Sequence, residues 1–309
     1  MTIAISLKVN DGVVLAADSA STLVARETGV DPIITPTPTP APGINIEAVQ
    51  VANVYNNANK VFNLLKGAPI GLITWGSGAI GNASISTLAK DLRRRFAGGD
   101  PDHREWALVE YEQGNKRLKS YTIEGVAQRV REFMYDELYR PAFEEWPRKP
   151  TLGFIVAGYS AGETMAEEYQ IAMTPTGECE GPTLLRPKDA SGLTWNGQVE
   201  AISRLVLGFS SLLPIVLQQN LGVPQQQIGP ATEVLKQALT APMVVPPMPI
   251  QDAIDLAQFL VELTIQFTRF IPGPQIVGGP IEIAAITKHE GFKWVKRKHY
   301  YGSELNPEG

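Results

Sequence analysis

Residues 3–9, IAISLKV, alternate apolar and polar side chains, and residues 13–18, VVLAAD, form an apolar run that ends on an acid. Between them stands Asn10-Asp11-Gly12, residues that accept the positive φ of a tight turn, so the pattern predicts a β-hairpin. A second hairpin is expected from KVFNLL (60–65), the turn Lys66-Gly67-Ala68-Pro69, and IGLITWGSG (70–78). The period then changes. Ile80, Ile85, Leu88, Leu92 and Phe96 recur near helical spacing, and Arg93-Arg94-Arg95 fall in the last turn, where cations suit the helix dipole, ahead of Gly98-Gly99. A second helix is expected from Thr122, a candidate N-cap, through IEGVAQRVREFMYDELY to Pro141.

The order then repeats. TLGFIVAGYS (151–160) and EEYQIAMTP (167–175) read as a third hairpin turning near Ala161-Gly162-Glu163, and a polar stretch follows. GQVEAISRLVLGFSSLL (197–213) reads as a helix, and IQDAIDLAQFLVELTIQFTRF (250–270) as a long one, with Ile254, Leu256, Phe259, Leu260, Leu263 and Phe267 on its apolar stripe. PIEIAAITKHEGFKWVKRK closes the chain with two strands turned at Lys288 to Gly291. Two segments break the pattern. TPTPTPAPG, within about 28–50, loses a backbone donor at every proline and favours extended polyproline geometry. In about 221–247, GVPQQQIGP and TAPMVVPPMPI flank the short helical piece ATEVLKQAL. Both read as insertions. The block order of strands, two helices, strands, two helices, strands predicts an α+β protein: one domain over 1–309, a four-layer αββα sandwich with two Pro-rich insertions. A doubly wound sheet would need strict strand and helix alternation, which is absent.

A composition of 44% hydrophobic and 19% charged residues is that of an ordinary globular chain. A net charge of -5 with scattered Lys and Arg disfavours nucleic acid as a partner. The nearest approach to a basic patch is Lys293, Lys296, Arg297 and Lys298, interleaved with Phe292, Trp294 and Tyr300, which reads as the solvated face of an alternating strand. The single cysteine, Cys179 in PTGECEG, excludes an internal disulfide, fits a reducing cytoplasm, and has a turn-like setting unsuited to a nucleophile. No signal-peptide pattern opens the chain, and LVLGFSSLLPIVL (205–217) is too short and too broken by Gly and Pro to span a bilayer, so a cytoplasmic protein without membrane contact is expected. His103, His289 and His299 lie far apart, and neither a metal site nor a cofactor is expected from them.

Several segments, in order and spacing, carry a family likeness. MTIAISLKVNDGVVLAADS resembles the mature start of proteasome β-type subunits, in which a terminal threonine leads a strand, a turn, and an apolar strand ending in an acid. NKVFNLL resembles that family's lysine-bearing strand; GLITWGSGAIGNASISTLAKDLRRRF is similar to its strand, glycine turn and first long helix, and VGGPIEIAAITKHEGF to its closing strand pair. The resemblance, to proteasome-like N-terminal nucleophile (Ntn) hydrolases of bacterial type, implies a threonine hydrolase. Such an enzyme cleaves peptide or amide bonds through an acyl-enzyme, inside a homo-oligomeric ring that takes peptides or unfolded proteins. It implies Thr2 as nucleophile, Asp18 and Lys60 as its charged partners, and the Gly76 backbone N–H as oxyanion donor. Asn196, in TWNG, stands where the family usually has a serine; Pro274 and Val277, in PGPQIVGG, stand where it has an aspartate and a serine.

The chemistry is coherent on physical grounds. Thr2 is small enough for aminopeptidase removal of Met1, and an α-amine with a pKa of about 7.7–8.0 is a usable base near neutral pH. A neighbouring ammonium such as Lys60 disfavours the charged amine and stabilises the alkoxide, and Asp18 holds that ammonium in place. Singly, Thr2 is an ordinary second residue, Asp18 a strand-end turn residue, Lys60 an exposed strand lysine and Gly76 a turn glycine. Three readings follow: a threonine peptidase or amidohydrolase, a catalytically silent ring or scaffold subunit, and a small-amide hydrolase acting outside any ring.

Overall fold

The computed structural model describes residues 2–24, 51–112 and 115–298, so the first Pro-rich insertion, His299 and Tyr300 lie outside the described residues. The strands that matter for the site are, in chain order, β1 (Ile3–Val9), β2 (Gly12–Ala17), β3 (Ser21–Val24), β4 (Val51–Tyr55), β5 (Val61–Asn63), β6 (Ile70–Gly76), β7 (Leu152–Gly158), β8 (Glu167–Met173), β9 (Cys179–Leu184), β10 (Gly192–Gly197), β11 (Glu282–Thr287) and β12 (Gly291–Lys296). The main α-helices among the described residues are α1 (Ile85–Phe96), α2 (Ile123–Arg131), α3 (Glu200–Val206), α4 (Leu213–Gln219), α5 (Gln225–Leu239) and α6 (Ile250–Phe270). The expected first hairpin forms around Asn10-Asp11, with Val9 opposite Gly12.

Two five-stranded antiparallel sheets carry the fold, one in the order β10-β1-β2-β11-β12 and the other β9-β8-β7-β6-β5. Strand alternation divides the side chains between their faces. Ala4, Val13, Leu15, Ala17, Ala284 and Ile286 of the first sheet meet Val61, Ile73, Ile155 and Ala157 of the second. Ile3, Ile5 and Leu7, with Val14 and Ile283, point the other way and pack on Ile202 of α3 and on Ala257, Leu260 and Val261 of α6. Leu72, Phe154, Val156 and Ile171 of the second sheet pack on Leu88, Leu92 and Phe96 of α1 and on Val126 and Val130 of α2. The chain is thus a mixed, α+β structure with helices against both sheets.

Local chemistry sets the helix ends. Ser84 Oγ accepts the Thr87 N–H at 3.2 Å and starts α1; Thr122 Oγ1 accepts the Gly125 N–H at 3.0 Å and starts α2 as expected. Each cap contributes about 1 kcal/mol. The second helix continues from Glu132 to Tyr139 as a π-helix.

Four expectations need correction. The helix expected over 197–213 is only α3, because Gly208 turns the chain at φ +78° and Ser210 and Ser211 fold back, each hydroxyl donating at 2.6 Å to Glu200. The helical piece expected at ATEVLKQAL begins earlier, at Gln225, and accommodates Pro230. The polar stretch after β8 holds two edge strands, β9 and β10, and Cys179 opens β9 opposite Met173, half-buried, rather than lying in a turn. Lys298, grouped with a solvated basic face, has a side chain only 5% exposed.

Candidate active site

Asp18 follows β2 and lies beside Ile3, and its carboxylate is gripped from four sides. Oδ1 accepts the Ile3 N–H at 3.0 Å and Lys60 Nζ at 2.6 Å, while Oδ2 accepts the N–H groups of Ala20 and Gly278, both at 3.0 Å. Lys60 immediately precedes β5, and its carbonyl accepts the Thr74 N–H at 3.0 Å, which fixes it to the second sheet. Its ammonium nevertheless lands on a carboxylate of the first. The pair therefore joins the two sheets with both side chains buried, at 6% and 0% exposure. Burial pushes the Lys60 amine below the ordinary lysine range, against the opposing pull of Asp18.

Thr2 is buried and stands one residue before β1. Its carbonyl accepts the Gln198 N–H at 2.7 Å, close against Gly197, where a Cβ would lie 1.9 Å from that oxygen. With φ at +91°, Gly197 serves both the turn and this approach. The Asp18 oxygen that holds Lys60 also holds the amide just after Thr2, so Thr2, Asp18 and Lys60 are gathered at one end of the paired sheets.

Gly76 and Asn196 sit on flanking strands. Gly76 ends β6 two residues beyond Thr74, at φ +89°, with Thr151 O only 2.3 Å from where a Cβ would be. Asn196 lies opposite Ala4 in β10, and its amide donates across to Gln170 Oε1 at 3.4 Å. Val277 is fully buried in the apolar cluster under α6, and the neighbouring Gly278 supplies its backbone N–H to Asp18.

No family model matches the chain, and no curated protein matches it. Among solved structures, the chain is similar to "Anbu (ancestral beta-subunit) from Yersinia bercovieri". The identity is 11% and the TM-score 0.48, over 96% of this chain and 88% of that one.

Three residues of the site were not anticipated. Glu282, at the start of β11, accepts the Lys60 N–H on Oε2 at 3.0 Å. Lys298 lies 3.6 Å from Glu282 Oε1 and donates to Ser19 Oγ at 2.7 Å and to Ala58 O. Ser19 donates its N–H to Gly278 O at 2.9 Å and its hydroxyl to Pro280 O. A carboxylate inside the apolar run IEIAAI was the available signal for Glu282; Lys298 was hidden among its basic neighbours.

A second buried charge cluster lies between the same sheets. Glu168 accepts Ser6 Oγ at 2.5 Å and lies 2.7 Å from Arg186 Nη1, while Lys8 Nζ donates to Pro187 O at 3.2 Å and Lys188 O at 2.8 Å. Burial pushes the Glu168 carboxyl up and the Lys8 amine down. Among the described residues, no group of three or more His, Cys, Asp or Glu could hold a metal ion, and no helix is long and apolar enough to cross a membrane.

Proposed function

We propose that the chain is a proteasome-like Ntn-hydrolase with a four-layer αββα sandwich, cleaving peptide or amide bonds through an acyl-enzyme on Thr2. The observation that carries this reading is the buried Asp18–Lys60 pair, 2.6 Å apart and tied through the Ile3 amide to the residue after Thr2. Removal of Met1 frees the Thr2 amine, whose ordinary pKa is about 7.7–8.0. That amine takes the hydroxyl proton as Oγ bonds to the substrate carbonyl carbon, while the Lys60 charge favours the neutral amine and the developing alkoxide. The Gly76 N–H donates to the oxyanion, a contribution worth roughly 10²–10³ in rate in a comparable case. Collapse breaks the C–N bond, the leaving amine carries off the proton, and water activated by the same α-amine releases the acyl group as a carboxylic acid. Asn196 positions the strand beside Thr2.

A homo-oligomer, with a second copy over the exposed apolar side chains of α5 and α6 (Val234, Leu239, Phe259 and Phe270), belongs to the same reading. Sedimentation velocity showing a monomer at micromolar concentration removes it. The scaffold alternative draws on Val277 and Pro274, which bring neither hydroxyl nor carboxylate to the amine. The small-amide alternative keeps the same chemistry outside any ring.

The test is intact-protein mass spectrometry with and without a β-lactone or epoxyketone probe, followed by peptide mapping. Loss of Met1 and one adduct on Thr2, absent in Thr2→Ala, is expected. A folded protein that retains Met1 or never labels makes the scaffold reading the better one.

A further inference from the structure

The mechanism above uses Asp18 and Lys60 but leaves two buried charges beside them idle. Glu282 reaches from β11 to the Lys60 amide, and Lys298, just after β12, reaches back to Glu282, Ser19 and Ala58. These partners lie on the segments that carry the site. Ser19 follows Asp18, Ala58 precedes Lys60, and Ser19 is bonded to Gly278, the third backbone donor to Asp18. The charges alternate from Asp18 to Lys60 to Glu282 to Lys298 and sum to zero, an arrangement that a buried site tolerates and an odd charge would upset.

We propose that Lys298 is a positioning residue of the Thr2 site: it clamps the segments bearing Asp18, Lys60 and Gly278, and its charge balances Glu282 so that Glu282 does not over-stabilise the Lys60 ammonium. This inference rests on the Thr2 reading for its catalytic meaning, while its physical content is a coupling between Lys298 and Lys60. The charged groups facing Lys60 are Asp18 after β2, Glu282 on β11 and Lys298 after β12; Lys298 opposes, and both carboxylates favour, the protonated Lys60 amine.

The sign of that coupling separates it from mere loosening. Losing the Lys298 cation raises the Lys60 titration midpoint, and losing the Glu282 anion lowers it. Loosening admits water and moves Lys60 upward, toward its ordinary value, in both variants. The experiment is a pH titration of the Lys60 side chain by NMR on ¹³Cε-lysine protein, the signal assigned with Lys60→Arg, in wild type, Lys298→Met, Lys298→Arg and Glu282→Gln. Expected are an upward shift in Lys298→Met, a downward shift in Glu282→Gln, and a midpoint near wild type in Lys298→Arg. An unmoved midpoint in Lys298→Met, or shifts of the same sign in Lys298→Met and Glu282→Gln, overturns the proposal. Should Lys298→Met fail to fold, Lys298→Gln is titrated in its place: an upward shift beside a downward one in Glu282→Gln upholds the proposal, and an unmoved or downward midpoint in Lys298→Gln overturns it. Thr2 labelling by a β-lactone is read on the same wild-type sample. An unlabelled wild type retires the Thr2 reading, while the Lys60 shifts still decide the coupling.

Discussion

Replacing either member of the Asp18–Lys60 pair breaks the same ion pair, but the two substitutions should not cost the same. Asp18→Ala strips the acceptor from four donors at once: the Ile3, Ala20 and Gly278 N–H groups and the Lys60 ammonium. An orphaned buried neutral donor costs about 1–3 kcal/mol, and breaking a buried ion pair by deleting one partner about 3–5 kcal/mol. Allowing for water entering the gap, Asp18→Ala should lose about 5 kcal/mol or more, a large share of the 5–15 kcal/mol typical of a domain. Lys60→Met keeps most of the apolar stem and leaves the Asp18 carboxylate its three amide donors, so the loss should be smaller, about 3 kcal/mol, the low end of the range for a broken buried pair. The double variant removes the orphaned ammonium and should be more stable than Asp18→Ala alone. Urea unfolding followed by tryptophan fluorescence measures all three, since the chain has 5 tryptophans. Equal losses in the single variants, or a double variant no better than Asp18→Ala, would refute the reasoning. The pH dependence has a definite sign. Folded Lys60 holds its proton less tightly than the unfolded residue, whose ordinary value is 10.5, so unfolding takes up a proton between the two values. Stability therefore rises with pH across that window, and wild type should gain on Lys60→Met as pH climbs from neutral toward 10.5. A gap moving in the other direction would count against the depressed lysine.

Gly197→Ala should lower the thermal midpoint and slow Thr2 labelling together. The added Cβ meets Thr2 O at 1.9 Å, on top of the roughly 1–2 kcal/mol of a left-handed residue; labelling at the wild-type rate would contradict this. Phe96→Ala, in the fully buried cluster under α1, should cost about 3–5 kcal/mol by urea unfolding while the folded fraction still labels normally. Thr2→Ala should abolish the adduct yet keep the Lys60 titration midpoint, because the Asp18 contacts to Lys60 and the Ile3 amide do not use the threonine side chain. Cys179, half-buried and with its thiol pushed up by burial, should alkylate with iodoacetamide more slowly than free cysteine at neutral pH and reach the free rate in urea.

What could be read from the sequence divides along physical lines. β1, β2, β6 and β7 are flanked on both sides within their sheets, and their long apolar runs announce them. β9 and β10 are edge strands: Pro182 is tolerated inside β9 because one side of the strand forms no ladder, and Gly192 and Gly197 bound β10, so residues that read as punctuation belong to strands. The helix over 197–213 was cut short by side-chain bonds from Ser210 and Ser211 to Glu200, which apolar periodicity does not register. The site follows the same division. Asp18 and Lys60 are 42 residues apart, and no periodicity relates them; a family likeness paired them, and the structure then joined them at 2.6 Å.

Glu282 and Lys298 had no such guide, because the family likeness assigns a role to neither and each takes its meaning only from the charge opposite. A buried charge is tolerable when its neighbours complete it, and those neighbours come from β2, the lead into β5, β11 and the segment after β12. Such a cluster becomes legible when the two sheets are in place. Its members then constrain one another: whatever sets Lys298 against Glu282 also bears on Lys60, and through Asp18 on the amide next to Thr2. Chemistry at Thr2 would consequently respond to substitutions nearly the whole chain away in sequence, by a change in charge at the site rather than by loss of the fold.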